Sequence, residues 1–162
     1  MIPKPPPRIV LDTNVCLDLF LFRDPRWHML LASMQAGSVE TVTRTDCRTE
    51  WTLVLAYTKF GLDDTAQRAA LAEFDRWIRL VDGDAGGLAL PLCKDPDDQK
   101  FLELAAGSGA AILLSKDKAL LKLARRLRKL GLFEIMSPAQ WIAAQAAGAD
   151  PAQEVDPVPA LK

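Results

Sequence analysis

The sequence predicts an α/β fold in which a parallel sheet is covered by helices on both faces, and three observations carry that prediction. Two short apolar runs, IVL at residues 9–11 and AAILL at 110–114, lack polar alternation and read as strands buried on both faces. Each run is followed at once by polar residues that include an acid, Asp12 after the first and Asp117 after the second, and then by a helical pattern. Strand and helix patterns alternate along the chain with short connections, which calls for right-handed crossovers and parallel strands.

The elements follow in order. RIVLDTN at residues 8–14 is a strand, an acid at its carboxyl end, and two short polar residues, Thr13 and Asn14, suited to capping a helix over 15–22. A plain cap or turn role for Asp12 stands beside a chemical one at this point. RDPR at 23–26 is a turn, and 27–35 is a helix with Trp27, Leu30, Leu31 and Met34 on one side, stopped by Gly37. VETVT at 39–43 suits a second strand, and Thr45 or Asp46 caps a helix that carries Glu50 and runs to Gly61. Asp63 and Asp64 open a helix over 65–80 with an apolar stripe, and the glycine-rich stretch 81–91 is a connection. KDPDDQKFLELAA at 94–106 crowds Asp95, Asp97 and Asp98 at a helix start, more acids than capping needs. After the strand at 110–114, Ser115, Lys116 and Asp117 lead into an amphipathic helix through Leu120, Leu121, Ala124 and Leu127. A last strand at 132–136 and a helix opened by Ser137-Pro138 complete the set.

Composition bounds the rest. The chain has 162 residues, 49% hydrophobic and 25% charged, enough for one domain with a real core. Residues 1–7 read as a Pro-rich extension, 8–147 as the domain, and 148–162 as a Pro-rich disordered tail. Prolines in MIPKPPPR stand where a signal peptide needs its apolar core, so the expected location is cytoplasmic, and no run approaches the ~20 apolar residues of a membrane span. Cys16, Cys47 and Cys93 lack zinc or redox spacing and read as packed thiols. The one histidine, His28, has no ligand partners nearby in sequence, and no phosphate-loop or dinucleotide fingerprint is present. A net charge of −1 argues against binding polyanions by bulk charge. Seven basic residues nonetheless fall between Lys116 and Lys129 against one acid, either a solvated face or a phosphate-tracking one.

In a parallel sheet the carboxyl ends of the strands share one edge, so Asp12 and Asp117 are expected near each other. Asp98 at a helix start and Glu50 inside another helix are placed to reach the same cleft. Four carboxylates without histidine or thiol make a hard-oxygen site, suited to Mg2+ or Mn2+.

With these blocks in view, the chain resembles the PIN domain family of metal-dependent ribonucleases, and most closely the toxin-component branch of toxin–antitoxin systems. VLDTNV, the WTLVL helix carrying Glu50, DPDDQKFLELA and LLSKDKALL occur in the family's order over about residues 8–144. The resemblance implies a three-layer α/β/α sandwich with a central parallel sheet. It maps the family's acids onto Asp12, Glu50, Asp98 and Asp117, as catalytic and metal-binding residues, with Asp95, Asn14 and Ser115 in support. Lys116 departs from the pattern, standing where glycine is common, and Arg44-Thr45 stands where an apolar residue and serine are commoner. The activity implied is Mg2+- or Mn2+-dependent cleavage of single-stranded RNA, drawn along Lys116, Lys118, Lys122, Arg125 and Lys129. An antitoxin protein and a second copy of the chain are the implied partners. Two other readings remain: a catalytically inactive RNA-binding module on the same fold, with Lys116 compromising the metal site, and an Asp-based phosphatase using Asp12. Asn14 weighs against the latter, because a second aspartate is wanted there.

Overall fold

Ile9, Val10 and Leu11 are buried and form most of β1 (Arg8–Leu11), the middle strand of the sheet. The computed structural model describes residues 4–148. Along the chain β1 is followed by α1 (Thr13–Phe20), α2 (His28–Ala36), β2 (Glu40–Thr43), α3 (Thr45–Leu55), α4 (Asp64–Trp77) and β3 (Ile78–Leu80). Then come α5 (Gln99–Ser108), β4 (Ile112–Leu114), α6 (Lys118–Leu121), α7 (Ala124–Lys129), β5 (Glu134–Met136) and α8 (Pro138–Ala146). The strand order is β3-β2-β1-β4-β5 and every pairing is parallel. Helices cover both faces, so the expected α/β architecture with a central parallel sheet is present.

Strand alternation explains the two layers. Ile9 and Leu11 point into one core with α1, α2, α3, α4 and α8, where Trp51 stacks on Phe74 at 5.5 Å and Phe20 meets both rings edge-on at 6.2 Å. Val10, Val42, Leu113 and Ile135 point into the other, against Phe101, Leu102 and Leu104 of α5 and against Leu120 and Leu127. Helix α1 is buried almost all round, because it lies between the sheet and the outer helices, and only its Asn14 is exposed. All three cysteines are buried and unbridged.

Several expected boundaries shift for physical reasons. Asp12 itself, not Thr13 or Asn14, caps α1, since its carboxylate accepts the Val15 N–H at 2.9 Å. Neither Thr45 nor Asp46 caps α3; Arg44 holds the cap position without a side-chain bond. The helix expected over 65–80 ends at Trp77, and Ile78–Leu80 becomes the edge strand β3, paired with β2 in the register Thr41↔Ile78. Three residues are too few to display a period of two, and Ile78 satisfies either periodicity. The basic helix after Asp117 is broken, because the Leu123 N–H bonds to the Leu120 carbonyl and tightens the turn. Lys118, Lys122, Arg125 and Lys129 are all exposed but do not share one continuous helix. Of the tail expected at 148–162, all but Gly148 lies outside the described residues.

Candidate functional site

The order of strands reverses between β1 and β4: the chain winds from β1 to β2 and β3, then returns to place β4 on β1's other side. In open α/β sheets the crevice beyond the carboxyl ends of two such strands collects ligands. Here Asp12 follows β1 and Ser115 follows β4, and the Asp12 N–H donates to the Leu114 carbonyl at 3.1 Å, holding the two exits side by side.

Ser115 is the hinge between the first acids. It is fully buried, its hydroxyl donates to Asp12 Oδ2, and its oxygen accepts the Asp117 N–H at 2.9 Å. Asp117 in turn caps α6 by accepting the Ala119 N–H at 2.9 Å. The third contribution comes from the turn Pro96–Asp98 before α5, where Asp95 accepts the Asp97 N–H at 3.0 Å. Gln99 fixes that turn, accepting the Cys93 N–H at 2.7 Å and donating to the Pro91 carbonyl at 3.1 Å. Carboxylate oxygens of Asp95, Asp98 and Asp117 consequently lie within 4.8 Å of one another.

The electrostatics follow from that crowding. Burial, with Asp117 adding to it, pushes the Asp12 carboxyl from 3.8 up to about 6 against the pull of Ser115, the Val15 N–H and Lys116. Desolvation, with Asp117, Asp95 and Asp12 nearby, pushes Asp98 up to about 7, while Asp117, accepting a hydrogen bond from Asp98, is lowered. The pair therefore holds one proton between them near neutrality, the arrangement expected when two acids share a space. Every donor is a carboxylate oxygen, no histidine or thiol takes part, and the site retains a proton that a cation can replace. This donor set fits a hard divalent ion such as Mg2+ or Mn2+ and fits zinc poorly.

Glu50 occupies the same cleft but a different environment. A recess of about 130 Å³ is shared by Asp12, Asn14, Glu50 and Asp98 among its walls. Glu50 is engaged on both oxygens, with Lys100 on Oε1 and the Thr13 hydroxyl on Oε2. Lys116 points the other way: its ammonium pairs with the buried carboxylate of Asp18, which also accepts the Trp27 indole N–H at 3.1 Å. Asp18 and Lys100 had no place in the sequence argument, and Thr13 had one only as a cap. Lys100 sits two residues after Asp98 and carried no spacing signal, Asp18 lay inside an apolar helix, and Thr13 read as a cap.

A sequence model described as PIN domain matches residues 8–119. The chain belongs to the PIN domain family. Among solved structures, this PIN domain is similar in fold to a chain of VapBC2 from Rickettsia felis bound to a DNA fragment from their promoter. The TM-score is 0.53 at 12% identity, covering 79% of this chain and 96% of that one. No curated protein matches the chain in sequence. The PIN match spans Asp12, Glu50, Asp95, Asp98, Ser115 and Asp117, so every acid of the crevice falls inside the family's own segment.

Proposed function

We propose that the protein is a Mg2+- or Mn2+-dependent endoribonuclease that hydrolyses phosphodiester bonds of single-stranded RNA, and that it is the cytoplasmic toxin of a toxin–antitoxin pair. The observation that carries the reading is the convergence of Asp95, Asp98 and Asp117 within 4.8 Å, beside buried Asp12, at the point where the sheet reverses. Membership of a family whose members are generally nucleases supports the chemistry. The fold likeness to VapBC2 supports the pairing with an antitoxin.

Asp12, Asp95, Asp98 and Asp117 are the residues that would hold the ion. When bound, a divalent ion supplies positive charge for the phosphoryl oxygens and makes nearby water more acidic. The chain's own residues do the rest. Ser115 keeps Asp12 and Asp117 in register by bonding to both. Burial and crowding raise the Asp12 and Asp98 carboxyls in the metal-free protein, so uptake of the ion there would displace a proton. Lys100 and Thr13 hold Glu50 at the wall of the recess it shares with Asp12 and Asp98, and there Glu50 would orient the substrate or reach the ion through water. Lys118, Lys122, Arg125 and Lys129 are exposed along α6, α7 and the turn between them and would supply cations for the RNA backbone. The pairing of Lys116 with Asp18 directs its ammonium away from the acids, which favours the active reading over an inactive binding module.

The test is substrate form. Purified protein in Mn2+ is expected to cut a mixed-sequence single-stranded RNA and to leave the same RNA intact when it is annealed to its complement. Equal cutting of both forms, or of single-stranded DNA alone, would contradict the proposal.

A further inference from the structure

The rim of the acidic crevice carries aromatic side chains that packing does not explain. Phe22 is 55% exposed, although Phe is among the residue types most often buried, and Tyr57 is 51% exposed. They are not scattered. Tyr57 lies parallel to Phe60, with centroids 6.4 Å apart and planes 4° apart, and Phe22 meets Phe60 edge-on at 5.9 Å. The three rings make one aromatic ledge from two separate parts of the chain: the residue after α1's last turn, and the turn after α3.

Backbone geometry sets the ledge. The Leu21 and Phe22 N–H groups both bond to the Leu17 carbonyl, and the next residue, Arg23, adopts φ 52°, a left-handed conformation costly for a side chain that is not glycine. That turn ends α1 and leaves Phe22 at the surface. On the other side Gly61 takes φ 60° and closes the 3-10 turn Thr58–Phe60, which carries Lys59 and Phe60.

Position gives the ledge a purpose. Tyr57, Lys59 and Phe60 line the same recess as Asp12, Glu50 and Asp98. Phe22 lines a neighbouring recess of about 290 Å³ with Asn14, Lys116 and Asp117. The ledge is therefore continuous with the acids on both sides. Cations accompany it: the Lys59 ammonium lies 5.3 Å from the Phe60 ring centre, and Arg23 is exposed next to Phe22. Two exposed rings resting on a half-buried third, with cations beside them, suit a ligand that has a π-face and a phosphate in every repeat.

We infer that Tyr57, Phe60 and Phe22 form a base-stacking subsite, with Lys59 on the adjoining phosphate, that seats single-stranded polynucleotide against the acidic crevice. The inference rests on the nuclease reading for the direction of the strand toward the acids. The stacking itself is independent of cleavage. The subsite selects unpaired bases, because a base inside a duplex presents no free face to a ledge beside a narrow recess. It is tolerant of sequence, since every base has a stacking face.

The experiment is a binding titration in EDTA, where no metal-dependent cleavage occurs, using a short single-stranded RNA containing 2-aminopurine. Wild-type protein is expected to change the 2-aminopurine fluorescence on binding. Tyr57→Ala and Phe22→Ala are expected to weaken binding about 5- to 30-fold each and to suppress the fluorescence change, in the range of one lost base–aromatic stack. Tyr57→Phe is expected to restore both. Lys59→Ala is expected to reduce the slope of log affinity against log salt by about 0.7, as for one lost phosphate contact on a single strand. Because the replaced rings are exposed, each variant's thermal melt is expected to match wild type, which separates lost stacking from lost folding.

Unchanged affinity in Tyr57→Ala and Phe22→Ala overturns the subsite, and so does a wild-type protein that binds no RNA in EDTA. A change of oligomeric state in Tyr57→Ala, with RNA binding intact, also overturns it and assigns the ledge to a protein partner. Cleavage in Mn2+ scored on the same preparations keeps the two proposals apart. Stacking without cleavage removes the nuclease reading alone, and cleavage without ledge-dependent binding removes the subsite alone.

Discussion

Asp12→Asn separates a capping aspartate from one held for chemistry. Asparagine retains the cap, since its amide oxygen accepts the Val15 N–H as the carboxylate does at 2.9 Å, so a pure capping role predicts little change at any pH. The charge is another matter. Asp12 is 3% exposed and is pushed from 3.8 up to about 6, chiefly by burial. A carboxyl raised in the folded state imposes no penalty below 3.8, a growing one between 3.8 and about 6, and a full one above that. At about 1.36 kcal/mol per tenfold shift the upper bound is about 3 kcal/mol. Relaxation and water entry reduce that to about 1–2 kcal/mol, which for a domain of this size is about 2–8 °C in Tm. Thermal melts of wild type and Asp12→Asn in EDTA at pH 4 and pH 8 are the assay. The variant is expected to match wild type at pH 4 and to melt higher at pH 8. A variant that melts lower than wild type by the same amount at both pH values would refute the argument and leave Asp12 a structural residue.

Other outcomes follow from the same geometry. Mn2+ at about a hundred times its dissociation constant stabilises a folded state that binds it by about 2.7 kcal/mol, so wild type is expected to gain about 5–10 °C in Tm and Asp98→Asn to gain almost nothing. An equal gain in both proteins would place the ion elsewhere. Lys116→Ala leaves the buried Asp18 carboxylate with only the Trp27 N–H as partner. Since Lys116 itself is partly exposed, the cost is expected near 1–2 kcal/mol, between a surface pair and a buried one, and Asp18→Asn in the same chain is expected to recover most of it in a denaturant titration. Gly107→Ala places a Cβ 2.5 Å from the Asp84 backbone carbon, so loop and helix must separate. Its unfolding midpoint is expected to fall by an amount equivalent to 2 kcal/mol or more, as for other overpacked sites.

Much of the candidate site is legible in the sequence because two strand exits announce it. A buried run that stops at Asp12, and another that stops at Ser115 and Asp117, place polar groups at one edge by the parallel topology alone. Asp95 and Asp98 are visible as an excess of acid at a helix start. What sequence does not carry is how side chains pair across elements. Lys100 and Glu50 lie 50 positions apart, and Lys116 and Asp18 lie 98 apart, so nothing local marks either pair. The fold was readable in its buried strands and in the edge strand β5, but not in the edge strand β3, where IRL at 78–80 is too short to be told from the end of the helix before it. The aromatic ledge was hidden in the same way. Phe22 and Tyr57 read as the ends of apolar stripes, and only the turns after α1 and α3 show that their rings face outward.

The central claim is that the crowded aspartates are a metal-dependent cleavage centre for RNA. The most direct measurement is the initial rate of cleavage of one end-labelled single-stranded RNA as Mn2+ is titrated, for wild type and Asp98→Asn prepared side by side. The account predicts a rate that rises to saturation with Mn2+, vanishes in EDTA and falls at least about 100-fold in Asp98→Asn, roughly the loss for one essential catalytic group. Cleavage that persists in EDTA, or that survives unchanged in Asp98→Asn, would contradict it.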